Sequence, residues 1–202
     1  MRAILIGAFV AMAGNVAAQQ AADAVEPETA SAGTFESLSA DVSASLAAKA
    51  AGQPVSAANW MIAAANPHAV KAGADVLAAG GTAADALVAV QVMLGLVEPQ
   101  SSGLGGGAFL VWYDAASGEL TTFDGRETAP LAATPQLFQD EAGEPLKFFD
   151  AVVGGRSVGT PGTPALLAHV HKRFGQQEWA GLLSPAMGLA ESGFTVSLRL
   201  AQ

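Results

Sequence analysis

The chain has 202 residues, 51% of them hydrophobic, with 9 basic and 18 acidic side chains and a net charge of −9. That length fits one domain or slightly more, with enough apolar residues for a real core. The charge argues against a nucleic-acid partner, because no basic patch exists to neutralise phosphates. The absence of cysteine excludes disulfides, thiolate nucleophiles and thiolate metal sites.

The first residues read as an export signal. Arg2 supplies a short positive region, residues 3–13 (AILIGAFVAMA) an apolar one, and Val16-Ala17-Ala18 a small-residue cleavage site. Residues 1–18 are therefore expected to be a signal peptide and the mature protein to be periplasmic or secreted. The apolar run falls short of the roughly 20 residues a membrane span needs, so an N-terminal anchor is the lesser alternative. Residues 19–58 are rich in Ala and Ser with scattered acids. They are expected to form a low-complexity, mobile linker, with at most a marginal helix over residues 38–51.

The compact part begins near Trp60. Residues 60–64 (WMIAA) suggest a short buried strand. Asn66 is a good N-cap with Pro67 at the first helical position, and Gly80-Gly81 ends that helix. Thr82 caps the next helix, and Asp85 three residues on completes a capping-box pair. Residues 83–97 are apolar on nearly every face, which predicts a helix buried in a core, packed on a sheet. Two apolar runs, residues 108–113 (AFLVWY) and 120–123 (LTTF), flank a polar connection and predict a β-hairpin. Residues 134–150 read as a surface excursion and 154–163 as a second glycine-rich turn region. Thr163 with Pro164 predicts a helix start and Gly175 its end. Ser184-Pro185 repeats the start signal, and Gly193 closes it. Residues 195–202 trail off without a stop signal, as a stub with no packing partner.

Glu98 to Pro130 is the stretch the chain is organised around. Residues 101–107 (SSGLGGG) form a small-residue loop where backbone can approach backbone or ligand without a Cβ in the way. The match to G-x-G-x-x-G/A is set aside, because that motif follows a strand and opens a helix, and here the order is reversed. Ser101 and Ser102 lack the G-x-S-x-G setting of a nucleophile. His169 and His171 are two apart on one helix and face different ways. His68 stands alone, and no motif calls for a metal or cofactor. Arg126 directly follows the hairpin. Its planar fork of donors suits a carboxylate, and an ion pair with Asp124 or Glu127 explains it equally well. Arg156 raises the same question more weakly.

Four ordered motifs carry a resemblance. They are Asn66-Pro67-His68-Ala69 with Gly80-Gly81-Thr82-Ala83-Ala84-Asp85, then Glu98-Pro99-Gln100-Ser101-Ser102-Gly103-Leu104-Gly105-Gly106-Gly107, then Asp124-Gly125-Arg126-Glu127-Thr128-Ala129-Pro130, then Gly159-Thr160-Pro161-Gly162. Residues 59–202 resemble the N-terminal part of the large subunit of gamma-glutamyltransferases (glutathione hydrolases), a family that also includes acylases. The resemblance implies an α/β fold of the N-terminal-nucleophile hydrolase type, an αββα sandwich incomplete in this chain. It implies a precursor that cuts itself in two, and a threonine leading the small subunit that attacks the gamma-glutamyl amide of glutathione with its own amine as base. Water or an amino-acid acceptor then takes the glutamyl group. The resemblance gives Arg126 the α-carboxylate of the glutamyl group. The nucleophile of the family lies beyond Gln202, so no residue here takes that role. The implied partners are a gamma-glutamyl substrate and the small subunit of the same precursor; alone, the chain should not turn over substrate and its buried helix should be poorly covered. Gly125 departs from members that carry a bulky residue there. An acylase acting on another amide, or a noncatalytic periplasmic binding module, is the alternative.

Overall fold

A computed structural model describes Phe35 and residues 38–201. The expected signal peptide lies outside the described residues. The described elements run α1 (Ala40–Ala50), α2 (Pro67–Ala78), α3 (Ala83–Val97), β1 (Ala108–Asp114), β2 (Glu119–Gly125), α4 (Phe148–Val152), a 3-10 turn (Gly155–Ser157), α5 (Thr163–Phe174), α6 (Trp179–Ser192) and α7 (Leu198–Ala201). No described helix is long and apolar enough to cross a membrane.

α1 falls inside the stretch assigned to a linker and takes up the marginal helix. Ser39 caps it by accepting the Val42 amide at 3.4 Å, and Val42 is buried. The expected strand at residues 60–64 does not form. Sheet pairing needs a partner strand, and the described sheet holds only β1 and β2. The run instead has no regular structure and packs on the helices, with Ile62 and Ala64 turned to the core while Trp60 and Met61 stay exposed.

α2 and α3 follow their punctuation. The Asn66 side chain accepts the His68 amide at 3.0 Å. Gly80 takes φ +81°, the left-handed turn that lets the Gly81 amide reach back to the Val76 carbonyl at 2.9 Å. Thr82 and Asp85 form a reciprocal capping box. α3 does not lie on the sheet as expected. It is enclosed by α2, α5 and α6, with Val88, Ala89, Met93 and Val97 buried, so it is better covered than the resemblance led one to expect. The sheet is covered by α5 instead, through Leu166 and Val170 against Leu110, Trp112 and Phe123.

The hairpin pairs Leu110 with Phe123 and Trp112 with Thr121. Alternation then sends Phe109, Val111 and Tyr113 to the opposite face with Leu120, where all four are exposed. Trp112 stacks on Phe174 of α5 at 4.3 Å between ring centroids. Residues 134–150 are mostly irregular, as expected of an excursion, apart from the start of α4.

Two helix starts differ from expectation. Thr163 is already helical, and Gly162 occupies the cap position. The Gly106 carbonyl accepts both the Gly162 and Thr163 amides, at 3.0 and 3.1 Å, so the glycine loop sets the entry to α5; the Thr163 hydroxyl is buried with no hydrogen-bond partner among the described residues. Ser184-Pro185 lies inside α6 rather than starting it. Proline cannot donate to the carbonyl four residues back, here that of Gly181. Leu182, Ala186 and Leu189, spaced at i, i+4 and i+7, hold the helix on the core across that gap. The C-terminal stub also finds a partner: Ser197 is buried, and Arg199 of α7 reaches Glu98 at 3.3 Å.

Candidate active-site wall

Three glycine-bearing segments that are far apart in sequence meet at the end of β2. The first is the loop 103–107, which follows α3. The second is the turn Asp124-Gly125-Arg126-Glu127, which leaves β2. The third is Gly159-Thr160-Pro161-Gly162, which enters α5. Glycine is required where they touch. A Cβ on Gly107 would come within 2.6 Å of the Glu127 amide nitrogen, and one on Gly159 within 2.9 Å of the Glu127 Cβ. A Cβ on Gly162 would strike the Gly125 carbonyl oxygen. Thr128 and Thr160 close the seam by exchanging backbone hydrogen bonds, at 2.8 Å in the shorter direction.

Gly125 is buried, and a Cβ there would lie 2.7 Å from the Leu166 Cβ. In this chain α5 therefore occupies the space that a side chain at position 125 would need. The Arg126 amide donates to Asp124 Oδ1 at 2.9 Å, a local turn that fixes where the side chain departs. Its Nε lies 3.4 Å from Glu127 Oε2. The terminal guanidinium nitrogens make no hydrogen bond to the described residues, and the side chain is 66% exposed. The expected Glu127 partner is thus present, yet it engages one edge of the fork and leaves the other open.

Glu127 Oε2 is buried with no hydrogen-bond partner among the described residues. A cavity of about 460 Å³ opens beside it, with Gln91, Gln100, Ser101, Ser102 and Gly106 also in its walls. Arg126, the neighbour of Glu127 in sequence, is not among its lining residues. Ser102 Oγ accepts from Gln91 Nε2 at 2.8 Å and Ser101 Oγ from Arg199 Nη2 at 2.8 Å, so both hydroxyls hold the loop. Arg156 lies in the 3-10 turn and is exposed.

The histidines do other work. His169 sits against the Phe123 ring. His171 Nε2 lies 2.9 Å from the Gln177 carbonyl oxygen and 3.3 Å from Asp85 Oδ1. Burial of Asp85 works to raise its pKa. Hydrogen bonds from the Thr82 and Gln176 amides, the Thr82 hydroxyl and the Gln177 amide outweigh it and lower the pKa. His68 is held between Phe35 and Phe194. Desolvation there, helped by the Lys71 charge, lowers its pKa. No group of three metal-ligating side chains occurs among the described residues.

A family model for gamma-glutamyltranspeptidase matches residues 69–202. The chain belongs to the gamma-glutamyltranspeptidase family. It is 43% identical over 142 residues to the glutathione hydrolase proenzyme of Bacillus subtilis, an alignment covering 70% of this chain and 24% of that one. The crystal structure of Helicobacter pylori gamma-glutamyltranspeptidase superposes with a TM-score of 0.69 at 36% identity, covering 73% of this chain and 42% of that chain. Cephalosporin acylase from Bacillus halodurans superposes at 0.53 with 30% identity, covering 73% and 29% of the two chains. The chain thus spans about a quarter of the length of the curated relatives it matches. The N-terminal-nucleophile hydrolase fold expected from the motifs holds as a partial domain: α5 covers one face of the β1–β2 hairpin, and α3 packs against α2, α5 and α6 behind it. The three-segment seam lies wholly within the matched residues. Sequence reading had flagged each segment separately; their meeting, and the Glu98–Arg199 pair beside them, were not anticipated.

Proposed function

We propose that this chain is the part of an exported gamma-glutamyltransferase that anchors the donor substrate, with Arg126 gripping the α-carboxylate of the glutamyl group. The observation that carries the reading is the open fork of Arg126, projected from a turn that family motifs build and that glycine packing makes rigid. A guanidinium with free, parallel N–H donors matches a carboxylate in a bidentate pair. Glu127, on the Nε edge, orients the fork and leaves the outer donors to the substrate.

In this reading the nucleophile comes from a small subunit of the same precursor, outside residues 1–202. Its threonine hydroxyl attacks the gamma-carbonyl carbon of glutathione, and its amine takes the hydroxyl proton. The amide C–N bond breaks, the departing amine carries that proton away, and water or an acceptor amine releases the glutamyl group. The names of the relatives, glutathione hydrolase proenzymes, support both the substrate and the precursor. Residues 1–18 supply the export signal, which places the protein in the periplasm or outside the cell. The similarity to cephalosporin acylase favours a second reading, in which the same Arg126 grips the carboxylate of a different amide.

The test is to express the chain together with the sequence encoded after residue 202, and to follow self-cleavage and glutamate release from glutathione. Two subunits and free glutamate are expected. A product that stays whole, or that cleaves itself but hydrolyses only non-glutamyl amides, overturns the glutathione assignment.

A further inference from the structure

Glu98 is a carboxylate with 1% of its surface exposed, at the C-terminal cap of α3. A buried charge is retained only where it is paired and hydrogen-bonded, and Glu98 gathers its donors from three separate parts of the chain. Oε1 accepts from Asn66 Nδ2 at 3.0 Å. Oε2 accepts from Gln100 Nε2 at 2.6 Å and from Arg199 Nη1 at 3.3 Å. Its own carbonyl accepts the Ser101 and Ser102 amides, both at 3.0 Å. Arg199 continues through Nη2 to Ser101 Oγ, and Gln91 holds Ser102 from the other side. The near end of the loop 101–107 is thus tied to Glu98. Its far end is tied at Gly106 to the entry of α5 and at Gly107 against Glu127.

We propose that Glu98 is a positioning residue for the Arg126 turn. It acts through the loop: Asn66, Gln100 and Arg199 fix the Glu98 side chain and with it the Glu98 carbonyl, that carbonyl and Arg199 hold residues 101–102, and the loop packs on Glu127, which orients Arg126. Its service to a gamma-glutamyl donor rests on the function proposed above; the control of the loop does not. Asn66 gives the cleanest handle, because its two functions can be separated. Its oxygen caps α2 while its nitrogen donates to Glu98. Asn66→Asp keeps an excellent N-cap but sets a carboxylate against Glu98. Adding Glu98→Gln restores a donor–acceptor pair with the roles reversed.

Amide hydrogen exchange on the full 202-residue chain reads the loop directly. Asn66→Asp is expected to speed exchange of the hydrogen-bonded Ser101, Ser102 and Thr128 amides at least tenfold, with the middle of α3 unchanged. The double variant Asn66→Asp/Glu98→Gln is expected to recover most of that protection, a coupling that a loss of general stability cannot imitate. Unchanged loop exchange in Asn66→Asp, or no recovery in the double variant, overturns the proposal. In the processed enzyme, the single variant should raise KM for a gamma-glutamyl donor several-fold with kcat held, and the double variant should reverse it. If Arg126→Ala leaves KM untouched, the donor-anchoring reading fails, and the exchange result still decides the role of Glu98.

Discussion

The α2–α3 pair and the β1–β2 hairpin are built to opposite standards of enclosure. In the helix pair every end is closed by a cap written in adjacent residues, and α3 meets neighbours on three sides. In the hairpin one face is sealed by α5, while the other presents Phe109, Val111, Tyr113 and Leu120 to solvent, each more than 60% exposed. The groups suited to chemistry sit at the hairpin's end and not in the helix pair. Stability is thus concentrated in one region and the proposed ligand contact in the other. Arg126 can remain open because it contributes little to holding the fold together.

Substitutions can sharpen or break that contrast. The largest effect is expected at Asp85, which is fully buried and joins the start of α3 to the Gln176 and Gln177 amides at 3.0 and 3.3 Å. Asp85→Ala removes a cap and strands those amides, at a cost of about 4 kcal/mol, measurable by urea unfolding. A loss under about 1 kcal/mol would show that water replaces the carboxylate freely. Met93→Ala, in the buried core of α3, should cost about 3 kcal/mol. Leu120→Ala, on the bare face of the hairpin, should cost under about 1 kcal/mol. Equal losses at the two positions would mean that the hairpin face is covered in solution.

Acid should reach the helix pair through its buried titratable groups. The folded pKa of His68 is lowered from 6.5, so as pH falls below that value the unfolded chain takes up the proton first and stability declines. The Asp85 pKa is also lowered; its contribution is present above the ordinary carboxylate range of about 3.9 and is lost as pH falls through the folded value. His68→Gln should flatten the upper part of the stability profile and leave the lower part in place. A wild-type profile that is level from neutrality to pH 5 contradicts the first of these.

Much of this contrast was legible in the residues themselves. Asn66-Pro67, Gly80-Gly81 and Thr82…Asp85 specify helix ends through contacts no more than a few positions away, and the hairpin follows from two apolar runs flanking a short polar connection. Arg126 was singled out because its motif is local and because it follows a strand directly. What escaped was long-range. The Gln176 and Gln177 amides on Asp85 lie more than 90 positions from it, and Arg199 lies 101 from Glu98; nothing in the neighbourhood of either acid announces its partner. Residues 60–64 had strand composition but no strand to pair with. Ser184-Pro185 is a valid start signal that lost to an apolar stripe already packed on the core.

The central claim is that Arg126 recognises a carboxylate. The direct measurement compares wild type, Arg126→Ala and Arg126→Lys in the processed enzyme, using a gamma-glutamyl anilide and the matching gamma-aminobutyryl anilide, which lacks the α-carboxylate. The account predicts that alanine lowers kcat/KM for the glutamyl donor about a hundredfold, that lysine recovers little of it because a point charge cannot reproduce the fork, and that neither change affects the gamma-aminobutyryl donor. Equal losses on both donors, or none on either, would contradict it.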